Sequence, residues 1–372
     1  MKIAFLITST GWGGLEMNTT KLAKSLGALG FEITLITQED ATLLKNEKSL
    51  FNSTLLIKKN RKYFDFKTAK KIAIELAEKK IDTVFVVDNK DLDVITWTKT
   101  RHLKNLKIVY QQHMQIGIPK KDWLHTFRFN KIDKWISPLK YLIEEIKIQT
   151  KFDPSKIVQI PIGVDTKQLF AEKTDRESAR NYFNLTPDDY VIGIIGRISR
   201  KKGQLFVVQA LKEELKNNLN SKLLIFGSAT VNDLDCQKYE KELHDFVKKE
   251  HLEGSVIFHP HSSKTSSFYK SIDLFVLGSE SETYGMVTLE ALLFQLPVLA
   301  TKSGGTTDLL QNGDFGNLYE FGNTEDFLKK YKYIVCNPLE TNTKANDGYN
   351  FALENYTLEN ETNAINTLLQ HL

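Results

Sequence analysis

Short apolar runs alternate with longer amphipathic segments along all 372 residues, and this pattern constrains the fold more than any other feature. The runs are almost continuously apolar, as expected for parallel strands that helices cover on both faces. Because strand and helix patterns alternate twice over, the sequence predicts an α/β protein with two parallel sheets. The predicted strands are Ile3–Ile7, Ile33–Ile36, Thr83–Val87, Ile108–Tyr110, Val191–Ile195, Leu223–Phe226, Val256–Phe258, Leu274–Leu277 and Val298–Ala300.

The length of the chain also favours two domains, because one hydrophobic core rarely serves so many residues. The segment Pro161–Asp165 precedes a charged, weakly apolar stretch, and we place the domain join there. The sequence therefore predicts an N-terminal domain of residues 1–165 and a C-terminal domain of residues 166–350. Residues 351–372 are predicted to form a helical segment that returns to the N-terminal domain.

The composition, with 41% hydrophobic and 26% charged residues, is typical of a globular protein. No window approaches the roughly 18 apolar residues that a membrane helix needs. The apolar start, Met1–Ile7, lacks a following cleavage site and is interpreted as a strand. Cys236 and Cys336 have no metal-ligand spacing, so neither a disulfide framework nor a zinc site is expected. The cytoplasm is the expected location.

Charge is distributed unevenly, with +10 on residues 1–165 and −6 on the remainder. This asymmetry indicates an acidic partner for the first half, and nucleic acid and an anionic membrane surface are both candidates. The alternative is a basic face exposed to water. Cations and aromatic residues interleave in one stretch: Lys120, Lys121, Trp123, Phe127, Arg128, Phe129, Lys131, Lys134 and Trp135. We interpret the stretch as a peripheral membrane contact, or alternatively as a core helix with one basic face.

Two glycine-containing loops follow predicted strands. Gly11–Glu16 opens a helix whose free N–H groups suit an anion, although a simple tight turn would give the same sequence. It differs from the spaced glycines of dinucleotide-binding proteins, which disfavours a dehydrogenase. Gly196–Gly203 adds several cations at the end of a parallel strand, where α/β sheets bind ligands. Arginine and lysine there would suit phosphate, and a basic surface loop is the alternative.

The strongest motif is Ser279–Ala291, which follows a predicted strand and opens an apolar helix. Glu282 falls in the loop and Glu290 about one and a half turns inside the helix. The N–H groups of residues 285–287 then lie between the two carboxylates. This arrangement suits a sugar diphosphate, with N–H groups on the anion and carboxylates on hydroxyls at either end. The alternative is a helix with acidic residues in its first turns for dipole reasons.

With these motifs in order, the chain resembles the retaining glycosyltransferases of the GT-B fold, specifically glycosyltransferase family 4. The resemblance extends over nearly the whole length, and the spacing of Glu282 and Glu290 around Tyr284–Val287 is its most specific part. It implies two Rossmann-like domains with parallel sheets facing across a cleft. The other matching segments are Gly13–Glu16, Val158–Asp165, Gly196–Gly203, Leu296–Thr301 and Gly304-Gly305.

The resemblance implies a role for each matching residue. Arg197 and Lys202 match the pair that binds the donor diphosphate, and Glu282 matches the carboxylate beside the donor sugar. Glu290 matches the carboxylate on the nucleotide ribose, and His113 matches a histidine near the reaction centre. The residues implied to be catalytic are Arg197, Lys202, Glu282 and His113. The residues implied to bind the donor are Gly14, Gly196, Gly285, Met286, Val287 and Glu290.

The resemblance implies transfer of a sugar, with retention of configuration, from a nucleotide-diphosphate sugar to a hydroxyl of a glycan or lipid-linked glycan. Bacterial surface polysaccharide or lipopolysaccharide synthesis is the expected setting, with no nucleic-acid partner. No cofactor or metal is expected, because fixed cations replace it, and Asp91 and Asp93 match a metal motif only in the wrong domain. Met17, Leu296 and Thr306–Asp308 depart from the family pattern. The alternatives are a catalytically silent family member and a phosphorylase or sucrose-synthase-like enzyme.

Overall fold

The computed structural model describes residues 1–58, 63–231 and 233–372. The chain forms two compact units: unit 1 is Met1–Gly163 with Leu358–Leu372, and unit 2 is Val164–Thr357. The chain leaves unit 1 after Gly163, two residues before the boundary expected from the sequence. The returning segment begins at Leu358 and not at residue 351, because residues 351–357 remain with unit 2.

Unit 1 contains a parallel sheet in the strand order β3-β2-β1-β4-β5-β6-β7. Its strands are β1 (Lys2–Leu6), β2 (Glu32–Gln38), β3 (Ser53–Ile57), β4 (Thr83–Val86), β5 (Lys107–Gln111), β6 (Lys134–Ser137) and β7 (Ile157–Gln159). Its first helices are α1 (Gly14–Ala28), α2 (Thr42–Glu47), α3 (Phe66–Lys79), α4 (Leu92–Arg101), α5 (Trp123–Phe129) and α6 (Lys140–Gln149). Ile3 and Phe5 join one core cluster and Ala4 and Leu6 another, so both faces of the sheet are buried.

Unit 2 contains a second parallel sheet, in the order β10-β9-β8-β11-β12-β13. Its strands are β8 (Tyr190–Ile195), β9 (Ser221–Phe226), β10 (Val256–His259), β11 (Leu274–Leu277), β12 (Val298–Thr301) and β13 (Asn317–Tyr319). Its helices are α7 (Thr166–Leu169), α8 (Arg176–Tyr182), α9 (Gln204–Asn217), α10 (Leu234–Lys249), α11 (Thr265–Ser271), α12 (Met286–Leu293), α13 (Gly305–Leu309), α14 (Thr324–Cys336) and α15 (Pro338–Asn355). Two parallel α/β sheets were predicted, and the structure confirms them.

The sequence prediction missed the strands β3, β6, β7 and β13. Strands β7 and β13 have three residues each, too few for hydrophobic periodicity to distinguish them. Strand β6 lies in the basic and aromatic stretch, which was interpreted as a membrane contact or, alternatively, as a core helix. Trp135 in β6 is buried between Tyr110 and Phe152, so its aromatic ring belongs to the core.

The last helix, α16 (Leu358–Gln370), completes the core of unit 1. Ile365 and Leu369 pack among the apolar residues of one sheet face. Glu361 is also buried, and its two oxygens accept hydrogen bonds of 2.8 Å from the Gly163 N–H and the Gln111 side-chain amide. Burial raises the pKa of Glu361 to about 7, although these two hydrogen bonds and the charge of Lys21 oppose the rise.

We predict that unit 1 loses stability as the pH rises from about 4.5 to about 7. The pKa of Glu361 in the folded protein is about 7, against 4.5 for an unperturbed group. Its contribution to the free energy of unfolding is therefore complete below pH 4.5 and is lost above about pH 7. The linked change in the free energy of unfolding is at most about 3 kcal/mol. All four tryptophans lie in unit 1, so tryptophan fluorescence during urea unfolding at several pH values measures it. The variant Glu361→Gln should lack this pH dependence; an unchanged profile would contradict the prediction.

Candidate functional site

The residues predicted to hold the donor lie where the strand order of unit 2 reverses. Strands β8 and β11 are neighbours there. The strands that follow β8 lie on one side of this pair, and the strands that follow β11 lie on the other side. Open parallel sheets bind ligands at the carboxyl ends of such a pair. The loop Gly196–Gly203 follows β8, and the loop Gly278–Gly285 follows β11. The structure therefore brings the two strongest sequence motifs together at one edge of the sheet.

Lys202 and Glu282 form an ion pair at this edge, with 2.7 Å between the Lys202 Nζ and a carboxylate oxygen. The two side chains are only 29% and 15% exposed. The same oxygen of Glu282 accepts a 3.3 Å hydrogen bond from the Ser279 hydroxyl. The predicted phosphate-binding cation and the predicted sugar-binding carboxylate thus neutralise each other in this structure, and Ser279 helps to orient the carboxylate.

Backbone hydrogen bonds fix the loops that hold this pair. The Glu280 N–H donates to the Lys201 carbonyl at 2.9 Å, which ties the loop after β11 to the loop after β8. The Gly305 N–H donates to the Glu282 carbonyl at 2.8 Å, which adds the loop after β12. Since backbone bonds hold Lys202 and Glu282 from both sides, the site is organised before any ligand arrives.

Gly203 allows these loops to approach so closely. Its φ of +68° lies in the left-handed region that favours glycine. A Cβ atom at this position would lie 2.0 Å from the carbonyl oxygen of Gly278. A side chain at residue 203 would therefore separate the loops after β8 and β11 and move Lys202 away from Glu282.

Helix α12 begins beside this ion pair. Gly285 precedes its first turn with a φ of +99°, another conformation that favours glycine. Met286 and Val287 open the helix, so their N–H groups precede the first regular helical hydrogen bond. Glu290 lies one turn further on, and its carboxylate accepts a 2.8 Å hydrogen bond from the phenol of Tyr269. Tyr269 was missed in the sequence analysis, because it lies in α11 outside any recognisable motif.

Arg197 is the most exposed of the residues predicted to bind the donor through a side chain. It follows Gly196 directly, and its carbonyl accepts a 3.0 Å hydrogen bond from the Gln204 side chain in α9. The positive charge of the Arg197 guanidinium also acts on the carboxylate of the neighbouring Asp233. The pKa of Asp233 is lowered mainly by its hydrogen bonds with Cys236, with a smaller contribution from Arg197.

Unit 1 contains the remaining two predicted site residues, Gly14 and His113. Gly14 is the first residue of α1, after a turn in which the Gly13 N–H donates to Glu16 at 2.8 Å. Burial lowers the pKa of His113 to about 4, and the nearby Glu16 charge opposes that shift. His113 is therefore neutral at pH 7. Its buried Nε2 has no hydrogen-bond partner within the parts of the chain that the structure describes.

Unit 1 also contains a cavity of about 700 Å³ at the carboxyl ends of β1, β2 and β4. Its lining includes four carboxylates and three cationic side chains. One carboxylate and one cation already form an ion pair, since Arg128 lies 2.9 Å from Asp93. Asp91 is fully buried and accepts a 2.9 Å hydrogen bond from the Thr8 N–H. Both aspartates of the apparent metal motif thus have structural partners. No group of three potential metal-ligating side chains occurs in residues 1–58, 63–231 and 233–372.

The basic and aromatic stretch divides between the core and the surface. Arg128, Phe129 and Trp135 are buried, so these three residues were wrongly included in a membrane-facing surface. Three large apolar side chains near the start of α5 are exposed: Met114 and Trp123 at 73% each, and Ile118 at 67%. Together with Lys120 and Lys121 they form what we call the 114–123 loop. No described helix combines the length and apolarity needed to span a bilayer.

Two family models match the two halves of the chain in order. The model described as "Glycosyltransferase Family 4" matches residues 12–168, and "Glycosyl transferases group 1" matches residues 175–350. The chain belongs to glycosyltransferase family 4. The resemblance inferred from its motifs is thereby confirmed, and the two matches meet near the boundary between units 1 and 2.

Two curated relatives of this family 4 protein match it over part of their length. The capsular polysaccharide biosynthesis glycosyltransferase CapM of Staphylococcus aureus is 31% identical over 155 residues, 41% of this chain and 39% of CapM. The lipopolysaccharide core biosynthesis mannosyltransferase LpsB of Rhizobium meliloti (strain 1021) is 29% identical over 151 residues, 41% of this chain and 42% of LpsB. The chain thus spans about two-fifths of the length of these relatives.

Solved structures share the fold over the whole chain. The crystal structure of Anabaena HepE in complex with UDP has a TM-score of 0.87 at 20% identity, and each chain is covered completely. This likeness, with the two parallel sheets, identifies the GT-B fold of two Rossmann-like domains.

We predict that Gly203→Ala disrupts the site and destabilises unit 2. Both the positive φ and the contact with Gly278 oppose a side chain, so the free energy of unfolding should fall by at least about 2 kcal/mol. Gly254→Ala is the matched control, since that glycine has no positive φ and a Cβ there would meet no atom of the described residues within 4 Å. Urea unfolding of both variants measures the difference. Equal stabilities would show that the close approach is not required.

Proposed function

We propose that this protein is a retaining glycosyltransferase that moves a sugar from a nucleotide-diphosphate sugar to a hydroxyl acceptor. The observation that supports this most is the ion pair of Lys202 and Glu282 beside the start of α12. It combines a cation and helical N–H groups for the diphosphate with a carboxylate for sugar hydroxyls. The complex of HepE with UDP makes UDP-sugars the first donors to test.

The proposed chemistry follows from the charges that develop during transfer. Breaking the bond between the anomeric carbon and phosphate oxygen leaves positive charge on the ring and negative charge on the diphosphate. Lys202 and Arg197 would stabilise that negative charge without a metal ion. The departing phosphate oxygen would take the proton of the acceptor hydroxyl as the new glycosidic bond forms on the same face. His113 would contribute a hydrogen bond and not a charge, since it is neutral at pH 7.

The acceptor would occupy the cavity of unit 1. Its carboxylates, among them Asp88 and Asp40, suit hydroxyl donors, and they would repel an anionic group. Arg128 already bonds Asp93, which leaves Lys90 and Lys120 as the other cations of the lining. We infer that the reacting part of the acceptor is a neutral, hydroxyl-rich sugar. CapM and LpsB, named for capsule and lipopolysaccharide synthesis, make a bacterial surface glycan the first class to test.

A lipid-linked acceptor would also explain why the 114–123 loop exposes apolar and basic side chains. We propose that this loop contacts the anionic lipids on the inner face of the cytoplasmic membrane. Ile118 and Trp123 would enter the headgroup boundary while Lys120 and Lys121 approach anionic lipid. Lys120 also lines the cavity, so the loop adjoins the proposed acceptor site within unit 1. Such contact would be peripheral and reversible.

A catalytically silent family member and a phosphorylase or sucrose-synthase-like enzyme remain the competing proposals. A panel of nucleotide sugars with a glycan acceptor, assayed in excess EDTA, separates them. We expect nucleoside diphosphate release that depends on the acceptor and persists in EDTA. Release with fructose as the acceptor would indicate a sucrose-synthase-like enzyme. With no release from any donor, formation of a sugar 1-phosphate from a glycan and inorganic phosphate would indicate a phosphorylase, and its absence would indicate a silent protein. Loss in EDTA, restored by magnesium or manganese, would contradict the metal-free mechanism.

We predict that Lys202→Ala and Arg197→Ala each lower turnover by roughly 10²–10³-fold, because each removes charge stabilisation from the departing diphosphate. Lys201→Ala is the matched control, since Lys201 is an exposed cation in the same loop. Its turnover should change less than about threefold, as expected for a cation outside the site. Steady-state kinetics with a saturating donor measures the effect. Near-normal turnover in both site variants would overturn the assignment of the cations.

We predict that the protein sediments with phosphatidylglycerol vesicles at low salt and that binding falls steeply at high salt, because the attraction is electrostatic. Trp123→Glu should abolish sedimentation by placing a charge in the headgroup region. Leu219→Glu is the matched control, since Leu219 is an exposed apolar residue of unit 2 at 79% exposure. Equal loss in both variants, or no binding by the parent protein, would refute the membrane contact.

A further inference from the structure

Tyr269 is a buried polar residue that the proposed mechanism does not use. It lies in α11, next to the donor site in unit 2, and is 1% exposed. Its hydroxyl is 2.8 Å from a carboxylate oxygen of Glu290 and 3.1 Å from the Val287 carbonyl oxygen. Both partners belong to α12, and sequence reasoning placed both in the donor site. A single phenol therefore contacts two residues that lie nearly one turn apart near the start of that helix.

The surroundings of Tyr269 hold its hydroxyl in one place. The ring stacks on Phe294 with 5.1 Å between centroids and 16° between planes. Phe268 and Phe275 contact it as well. Burial raises the pKa of Tyr269 well above 10, and the charge of Glu290 raises it further, so the phenol keeps its proton at any physiological pH. Tyr269 is thus a permanent hydrogen-bond donor on a rigid ring.

We propose that Tyr269 is a positioning residue that holds the Glu290 carboxylate in the orientation needed to bind the ribose hydroxyls of the donor. This inference rests on the proposed function, since it takes Glu290 to be the ribose-binding residue. A glutamate side chain loses up to about 2 kcal/mol of rotamer freedom when it is ordered. Tyr269 orders it in the ligand-free protein, so nucleotide binding need not do so.

The chemistry of a carboxylate permits both tasks together. An ionised carboxylate has about four acceptor positions on its two oxygens. The Tyr269 phenol occupies one of them, so accepting it does not prevent Glu290 from accepting hydrogen bonds from the two vicinal hydroxyls of a ribose. The Val287 carbonyl oxygen, 3.1 Å from the same hydroxyl, can only share its single proton, so the shorter contact with the Glu290 carboxylate is the main hydrogen bond.

The test compares Tyr269→Phe with the parent protein by calorimetric titration with UDP and with 2′,3′-dideoxy-UDP. The phenylalanine keeps the ring stack and removes only the donor hydroxyl. We expect UDP to bind about tenfold more weakly, the size of losing one hydrogen bond to a charged group. The dideoxy nucleotide lacks the hydroxyls that Glu290 would bind, so its affinity should change less than about twofold. The KM for the sugar donor should rise about tenfold with little change in kcat.

Two further variants distinguish positioning from general structural support. Tyr319→Phe is the matched control, since the buried Tyr319 hydroxyl donates to the Leu277 carbonyl at 3.1 Å. Its affinity for both nucleotides should be unchanged. In a Glu290→Gln background, Tyr269→Phe should weaken UDP binding by less than about twofold, because the two residues act together. Thermal denaturation of each variant establishes that it is folded.

The outcomes separate this proposal from the proposed function. If the parent prefers UDP to the dideoxy nucleotide but Tyr269→Phe binds UDP normally, positioning by Tyr269 is overturned and the donor site stands. Equal weakening for both nucleotides would also overturn it, because a structural role would not depend on the ribose hydroxyls. If the parent binds none of UDP, GDP and ADP, the proposed function fails, and this inference fails with it.

Discussion

The candidate donor site depends on the close approach of two backbone segments in unit 2. The loop after β8 and the loop after β11 meet at Gly203 and Gly278, where a Cβ atom would lie 2.0 Å from a carbonyl oxygen. This contact places Lys202 beside Glu282, whose 2.7 Å ion pair is largely shielded from water. Each charge has a partner before the donor arrives, which lowers the cost of burying it. An incoming diphosphate must then compete with Glu282 for Lys202.

The sequence predicted those parts of the fold that depend on local pattern. The central strands of both sheets are long, apolar and covered on both faces, so their composition identifies them. Strands β7 and β13 have three residues each, and tertiary pairing decides whether so short a segment is a strand. The stretch around Trp135 is ambiguous for the same reason. A tryptophan among lysines is found both at membrane surfaces and in protein cores, and only the tertiary packing shows which of the two applies.

The donor site was predictable where its residues fall in one loop or one turn. The loop after β8 and the turn at Glu282 and Glu290 are contiguous motifs, and their strands place them at one sheet edge. Tyr269 could not be found in this way, since it reaches Glu290 only through the packing of α11 on α12. The pairing of Lys202 with Glu282 also depends on tertiary structure, since 80 residues separate them along the chain. Motifs identify the chemical groups, and packing decides which of them meet.

Unit 1 is assembled from two separate parts of the chain, and this affects the order in which the protein can fold. Ile365 and Leu369 of α16 fill part of its core, and Glu361 bonds the backbone of Gly163. A ribosome synthesises these residues after all of unit 2, whose residues 164–357 are continuous. Unit 2 can therefore complete its core while the nascent unit 1 still lacks a helix. Unit 1 is therefore the last of the two units to receive all of its core residues, and α16 can join it only after unit 2 has been synthesised.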